Sequence, residues 1–450
     1  MERENRVTGV LAFFTCLTIP VMLCVAALLF FGGGLAYPNP FAGRLGSAPA
    51  APGVQRLVAI LDDGNVYFMD RDGANSAAIT SDAALRPSAD VRKAYAFPSW
   101  SHDNQRVAFV GVSSENDGTA ILYTAAVKDA KPLQLFRSEH EFPFYLSWSP
   151  DSKRIAFLTQ GEQDLSLNYA SADGAENKTL DKGNPYYFSW SPDSQSLITH
   201  VGGSRRQSAD AFIGLQSLSG STDAKHLSIA PANFLAPAWS PSGRDVLTAL
   251  MGNSAANDTL VVSDGQGENQ RTLLKFSGNI AFSWSPDGKS IAYINTQGSG
   301  SNVKAELHRI KPDGSGDQLL SDESPIAFFW SPDGARIAYL VRARGDQGSL
   351  QTTLNSEQQG VLHLTWHVLA LADKSDAALG SFIPSDAFVA LLPYFDQYAQ
   401  SLRLWSPDSR SLVYAADESD GNPAIFMVSV SGGDGPHRIA KGSIAVWSWN

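Results

Sequence analysis

Cysteine is nearly absent: the 450 residues contain two, Cys16 and Cys24, both in one apolar stretch near the start. A disulfide framework or a cysteine-based zinc site is thereby excluded from the rest of the chain. Positive charge is also scarce, with 34 Lys and Arg against 45 Asp and Glu and a net charge of −11. Nucleic-acid binders carry a basic footprint, so a nucleic acid is excluded as a partner. No Gly-x-Ser-x-Gly elbow, His-Glu-x-x-His, Walker or Rossmann glycine pattern occurs, which removes the commonest hydrolase, metalloprotease and nucleotide-binding readings. Gly (38) and Pro (24) are near ordinary usage and 43% of residues are hydrophobic, so the chain has a core to bury.

Charge is missing altogether from Val7 to Ala36. About 20 apolar residues span a bilayer, whereas a secretory signal needs only 7–15. Residues 7–36 therefore read as a transmembrane anchor, retained rather than cleaved, behind a short cytoplasmic tail at 1–6. Arg3 and Arg6 before the run, against Arg44 after it, place the remainder on the extracytoplasmic side by the positive-inside rule. Residues 37–53, rich in Pro, Ala and Gly, read as an extended linker.

Beyond the linker the chain is repetitive. The string LSWSPDSKRIAFL at 146–158 recurs as PSWSHDNQRVAFV, FSWSPDSQSLITH, PAWSPSGRDVLTA, FSWSPDGKSIAYI, FWSPDGARIAYL and LWSPDSRSLVYA, with VWSWN at the end. The tryptophans are Trp100, Trp148, Trp190, Trp239, Trp284, Trp330, Trp405 and Trp447, mostly about 40–50 residues apart, a spacing typical of repeat architectures. Ser-Pro-Asp-Gly suits a type I turn, and the runs behind it are rich in strand-forming residues. A second turn signal, Asp-Gly, recurs at 173–174, 264–265 and 313–314. Each copy therefore predicts four antiparallel strands, A to D, with tryptophan near the end of A. Gln55 to Thr80 supplies strands B, C and D without an A, and Ile444 to Ser448 an A without the rest. The expected fold class is all-β: a β-propeller over residues 54–450 with eight four-stranded blades, closed by pairing of both termini. Seven blades result if the stretch between Trp330 and Trp405 is not one blade.

These copies resemble the TolB-type propeller repeat, a relative of the WD-type repeats also found in propellers of tricorn-like and prolyl-oligopeptidase-type peptidases. The resemblance implies the fold; such blades serve binding proteins and enzymes alike.

Alternating strands sort the loops onto two faces. The A–B and C–D turns are short and repetitive, while the D–A and B–C loops vary, so the variable face is the expected binding face. It gathers Phe144, Tyr145, Tyr187, Phe234, Phe329, Tyr394, Phe395 and Tyr398, together with Arg342 and Arg344. Read as function, the rings line a mouth that stacks on a ligand; read as structure, they pack between blades. The insertion at 384–401 is apolar enough for a short helix or lid. Arg205 and Arg206, with Arg342 and Arg344, offer positive charge to an acidic partner, or are solvated loop charge.

The repeated Asp residues (103, 151, 193, 287, 333 and 408) sit at one place in the turn, which marks them as turn-builders rather than catalysts. His363 and His367 lack the further ligands zinc needs, and His140 and His200 are the two histidines expected to reach the variable face. Paired carboxylates among Glu139, Glu141, Asp322 and Asp396 are the remaining catalytic candidates. The expectation is a membrane-tethered propeller of a prokaryotic envelope that binds a protein, peptide or envelope component, with no catalytic residue, metal or cofactor. The alternatives are a lyase or glycosidase working in the propeller pocket, and a sensor or accessory subunit of a membrane complex.

Overall fold

The computed structural model describes residues 55–85, 92–115, 118–219, 224–298, 303–343, 361–431, 433 and 435–450. The tail at 1–6, the anchor expected at 7–36, the linker at 37–53 and residues 344–360, Arg344 among them, lie outside the described residues. Among the described residues no helix is long and apolar enough to cross a membrane.

Among the described residues the chain is all-β apart from one short helical segment at 386–398, and its strands form antiparallel sheets, as a propeller requires. Five separate four-stranded sheets follow one another in chain order. Unit 1 has strands Lys93–Trp100, Arg106–Ser113, Thr119–Ala126 and Pro132–Ser138, and unit 2 spans Phe142–Trp148 to Asn177–Gly183. Unit 3 runs from Tyr186–Trp190 to Lys225–His226, unit 4 from Ala238–Trp239 to Arg271–Phe276, and unit 5 from Asn279–Trp284 to Gln318–Ser321. A ten-stranded sheet holds the remainder, beginning at Ala327–Trp330.

That larger sheet arises because two strands serve neighbours on both sides. Asp376–Pro384 pairs with Leu364–Ala370 and, through Ile383 and Pro384, with Ser411–Asp417. His437–Trp447 pairs first with Pro423–Ser429 and then with Arg56–Leu61, aligning Leu57 with Trp447 and Ala59 with Ala445. The first and last described strands thus share hydrogen bonds. The A strand expected at Trp405 shrinks to a single bridge with Leu412.

Burial follows strand position. The B strands are covered on both faces: Ile155, Ala156 and Phe157 are fully buried. The D strands are polar and half-exposed, as in Asn177–Gly183, and charge on such an edge discourages pairing with another chain.

The tryptophans join one sheet to the next. Trp148 Nε1 donates to Ser99 O at 3.2 Å, Trp190 to Ser147 O at 3.0 Å, Trp284 to Ala238 O at 3.1 Å and Trp405 to Phe329 O at 3.0 Å. Each acceptor immediately precedes the tryptophan of the preceding copy. Trp100 makes the same bond to Val446 O at 3.3 Å, which ties unit 1 to the final strand. The indole N–H groups of Trp239, Trp330 and Trp447 are buried without a partner among the described residues.

The repeated aspartates build their turns. In unit 2, Ser149 Oγ donates to Asp151 Oδ1 at 2.6 Å, which also accepts the Lys153 N–H at 3.1 Å. Asp103, Asp193, Asp287, Asp333 and Asp408 are held by serine in the same way. Hydrogen bonding from Ser191 lowers the Asp193 carboxyl below the usual range, and that from the Lys289 backbone does so for Asp287.

Candidate functional site

The insertion between Pro384 and Trp405 is the one irregular segment among the described residues that reaches many sheets. Ser385 caps helix α1 (Asp386–Leu391) by accepting the Phe388 N–H, and Asp386 sits in the first turn, where negative charge is favoured. Pro393 stands at the start of a 3-10 turn (Leu392–Tyr394), which leads into the one-turn helix α2 (Phe395–Tyr398).

This segment is held by the A strands. Ser99 Oγ of unit 1 donates to Ser401 O at 3.3 Å. Tyr145 Oη of unit 2 lies 3.2 Å from Gln397 O and also from Phe188 O. In unit 3, Ser189 Oγ donates to Gln400 Oε1 at 2.7 Å, and Gln400 Nε2 donates to Tyr187 Oη at 2.5 Å. Helix α2 also contacts strands Asn279–Trp284 and Ala327–Trp330, and α1 contacts Ser411–Asp417 and His437–Trp447. A segment this short can touch the first strands of so many sheets only where those strands converge. It therefore lies where the first strands of units 1, 2, 3 and 5 come together.

Packing there is tight on one side. A cavity of about 10 Å³, lined by Phe388, Leu391, Leu402, Tyr414, Ile444 and Val446, separates the segment from the last strands. The ring of Tyr145 packs 5.8 Å from Tyr187 and 5.4 Å, edge-on, from Tyr398, while Phe395 lies 5.2 Å from Phe328 and 6.0 Å from Phe329. Tyr145 reaches this position from a left-handed backbone, φ 47°, at a bulge in its A strand, and Phe97 occupies the matching bulge in unit 1 at φ 54°. Bulky residues adopt that region only when their surroundings impose it.

The mouth expected from the aromatics is accordingly corrected. Phe144, Tyr145, Tyr187, Phe395 and Tyr398 are buried, because the insertion packs inward against them instead of standing over the face as a lid. Phe234, Phe329 and Tyr394 keep part of their surface exposed, and Arg342 is exposed. Arg206 does not offer charge to a partner: its guanidinium grips the buried Asp258 with both amino groups and Gly252 O at 3.0 Å. Arg205 bonds Ala211 O at 3.1 Å. Sequence reasoning missed the polar anchors Ser99, Ser189, Gln397 and Gln400; the Gln397–Gln400 spacing, three residues apart in a helical turn, is the signal that could have found two of them.

His200 does not reach a binding face. It is fully buried, with Nδ1 3.0 Å from Leu235 O and Nε2 2.7 Å from Gly203 O, and burial pushes its pKa down to about 4. Among the described residues no three His, Cys, Asp or Glu are placed to hold a metal ion. His367 instead stands 3.3 Å from Asp376, whose carboxyl also accepts the Tyr339 hydroxyl. Of the carboxylate candidates, Glu141 accepts the Thr159 hydroxyl at 2.9 Å, Glu139 lies 3.8 Å from Arg137, and Asp322 is exposed. Asp396, on α2, stands apart. Desolvation raises its pKa to about 6 against opposing hydrogen bonds from the Gln397, Asp396 and Ala236 backbone.

Residues 152–368 match the family model of the TolB beta propeller domain. No curated protein matches the chain by sequence. Among solved structures, a prolyl endopeptidase matches with TM-score 0.53 and 14% identity over 79% of this chain and 50% of its own, so this chain spans half its length. An oligogalacturonate lyase in complex with manganese matches with TM-score 0.51 and 13% identity over 85% of this chain and 98% of its own. TolB from Acinetobacter baumannii matches with TM-score 0.39 and 15% identity over 80% of this chain and 82% of its own. At such identities the likeness is one of fold alone.

Proposed function

We propose that the chain, whose residues 152–368 match the family model of the TolB beta propeller domain, is a non-catalytic binding module for a protein or peptide. In this reading eight blades close into a ring through the pairing of Arg56–Leu61 with His437–Trp447. The apolar run 7–36 tethers the ring to the extracytoplasmic side of a membrane, with the variable face as the docking surface. The observation that carries the reading is the central segment: residues 385–404 of the chain itself fill the space between the A strands that would otherwise be open to a substrate. Phe234, Phe329 and Tyr394 then form the accessible part of the docking face.

One observation favours a second reading, an enzyme in the axial pocket. The Asp396 carboxyl, at about 6, lies where general acids work near neutral pH. Among the described residues no second carboxylate acts on it, and a glycosidase needs two.

The test is photo-crosslinking in intact cells, with the crosslinking residue placed at Phe234 on the variable face or at Lys289 on the repetitive face. A discrete protein adduct from position 234 and none from 289 is expected. Adducts only from 289, or turnover of a polysaccharide by the purified chain, would contradict it.

A further inference from the structure

The Trp-Ser copies depart from their pattern at four positions that meet in space. Proline follows Trp-Ser in six copies, but His102 takes its place in unit 1 and Trp449 after the final strand. The fourth turn position, serine or glycine in those six, is Asn104 in unit 1. Arg403 stands two residues before Trp405, a position that is uncharged in every other copy. The His102 ring stacks on the Trp449 indole at 4.1 Å, and the Arg403 guanidinium lies 4.5 Å from the indole centroid. The Trp449 backbone N–H donates to Asn104 Oδ1 at 2.7 Å and its Nε1 to Trp100 O at 3.0 Å. Arg403 Nη1 donates in turn to Trp449 O at 3.0 Å.

The sheet shared by the first and last strands explains why they meet. In unit 2 a covalent turn joins strands A and B, and Ser149 brackets it. Its N–H donates to Arg154 O at 2.8 Å, and its Oγ accepts the Arg154 N–H at 3.0 Å. Ser448 and Arg56 make the same two bonds, at 2.9 and 3.2 Å, although they are 392 residues apart in the chain. The hydrogen bonds of the turn are kept and its short covalent link is not. His437–Trp447 aligns with Arg56–Leu61 over five residue pairs, with a bulge among them. Such a pair, unlike two strands of a tight hairpin, parts at a large gain in chain entropy. Trp449 supplies what the turn would have supplied. It fastens the end of the final strand to unit 1 through His102 and Asn104, and to the Trp405 copy through Arg403. All of Trp449, His102 and Arg403 are half-buried, where stacking of an indole on imidazole and guanidinium gains from the exclusion of water.

We propose that Trp449 is a lock on this seam: held by His102, Asn104 and Arg403, it keeps His437–Trp447 from parting from Arg56–Leu61. This rests on the ring closure of the reading above and not on the partner named there. The lock is the reason that two copies abandon the proline which elsewhere pre-sets the turn.

The test is amide hydrogen exchange of the full-length chain, together with its unfolding rate in urea. In the wild type Arg56–Leu61 should exchange as slowly as the B strands of units 1 to 5. Trp449→Ala should speed exchange of that strand and of residues 444–447 at least about tenfold while units 2 to 5 stay unchanged. Trp449→Phe, which keeps a ring and loses the indole bond, should fall between the two. His102→Pro restores the residue of the other copies, yet it should speed unfolding of the wild type. It should add less to Trp449→Ala, because the ring it stacks on is already gone. Equal loss of protection in every sheet, or additive effects of the two substitutions, would overturn the lock. Slow exchange of the seam in both wild type and Trp449→Ala would overturn it and leave the ring standing. Fast exchange of Arg56–Leu61 in the wild type would remove ring and lock together.

Discussion

The fourth residue of the Ser-Pro-Asp-x turn shows how one side chain can carry two duties. Glycine is the expected occupant because φ is positive there, yet Ser152, Ser194 and Ser409 hold φ values of 60°, 61° and 59°. The hydroxyl explains the choice. Ser194 Oγ accepts the Asp151 N–H of the preceding unit at 3.0 Å, and Ser152 and Ser409 do the same for Asp103 and Asp333. Serine accepts backbone strain in exchange for a bond between sheets. Ser194→Ala keeps the strain and loses the bond, so it should cost about 1 kcal/mol in urea unfolding. Ser194→Gly loses the bond but relieves the strain and should cost less. Glycine proving the more damaging of the two would show that the hydroxyl is not what selects serine.

At the scale of the element, the A strand and its tryptophan set how each sheet leans on the previous one. Trp148→Phe removes an indole bond to Ser99 O, whereas Trp239→Phe removes an N–H that has no acceptor among the described residues. The first substitution should therefore cost about 1 kcal/mol more than the second; equal losses would mean that the indoles serve by volume alone. The repeat made these elements readable in advance. The Trp-Ser-Pro-Asp string places strand A, its turn and strand B without reference to anything distant, so the sheets and the turn role of the aspartates were legible. The central segment was not. Its composition correctly indicated a short helix, but the aromatics beside strand A read alike whether they face solvent or an inserted helix. Only long-range contacts, such as Gln400 with Tyr187 and Ser189, decide between the two. Arg206 misled for a similar reason, since Asp258, its partner, lies in the next unit.

For the whole molecule, opposing buried charges shape the response to pH. Burial lowers the His102 and His200 pKa values to about 4, so the unfolded chain takes up protons first and stability falls as pH drops from about 6.5 toward 4. Desolvation raises Asp396 and Asp417 to about 6. There the folded chain takes up protons first, and stability rises as pH drops from about 6 toward the unfolded carboxyl range. The two trends offset each other, so the melting temperature should stay nearly flat from about pH 6.5 to 5. Below that, protonation of the turn carboxyls that folding holds below their usual range, Asp193 and Asp287 among them, removes stability. Asp396→Asn should tilt it toward acid loss and His200→Gln toward acid gain, measured by calorimetry at several pH values. Parallel behaviour of the two variants would contradict this balance.

The same scale contains the feature on which the functional account turns, a central segment held among the A strands of several sheets. Amide hydrogen exchange of the full-length protein reads this directly. Residues 395–402 should exchange as slowly as the innermost strands around Tyr145 and Ser189, because they are covered by them. Exchange of that segment within seconds, while the surrounding strands stay protected, would mean that the axis stands open in solution and would favour a pocket that receives a substrate.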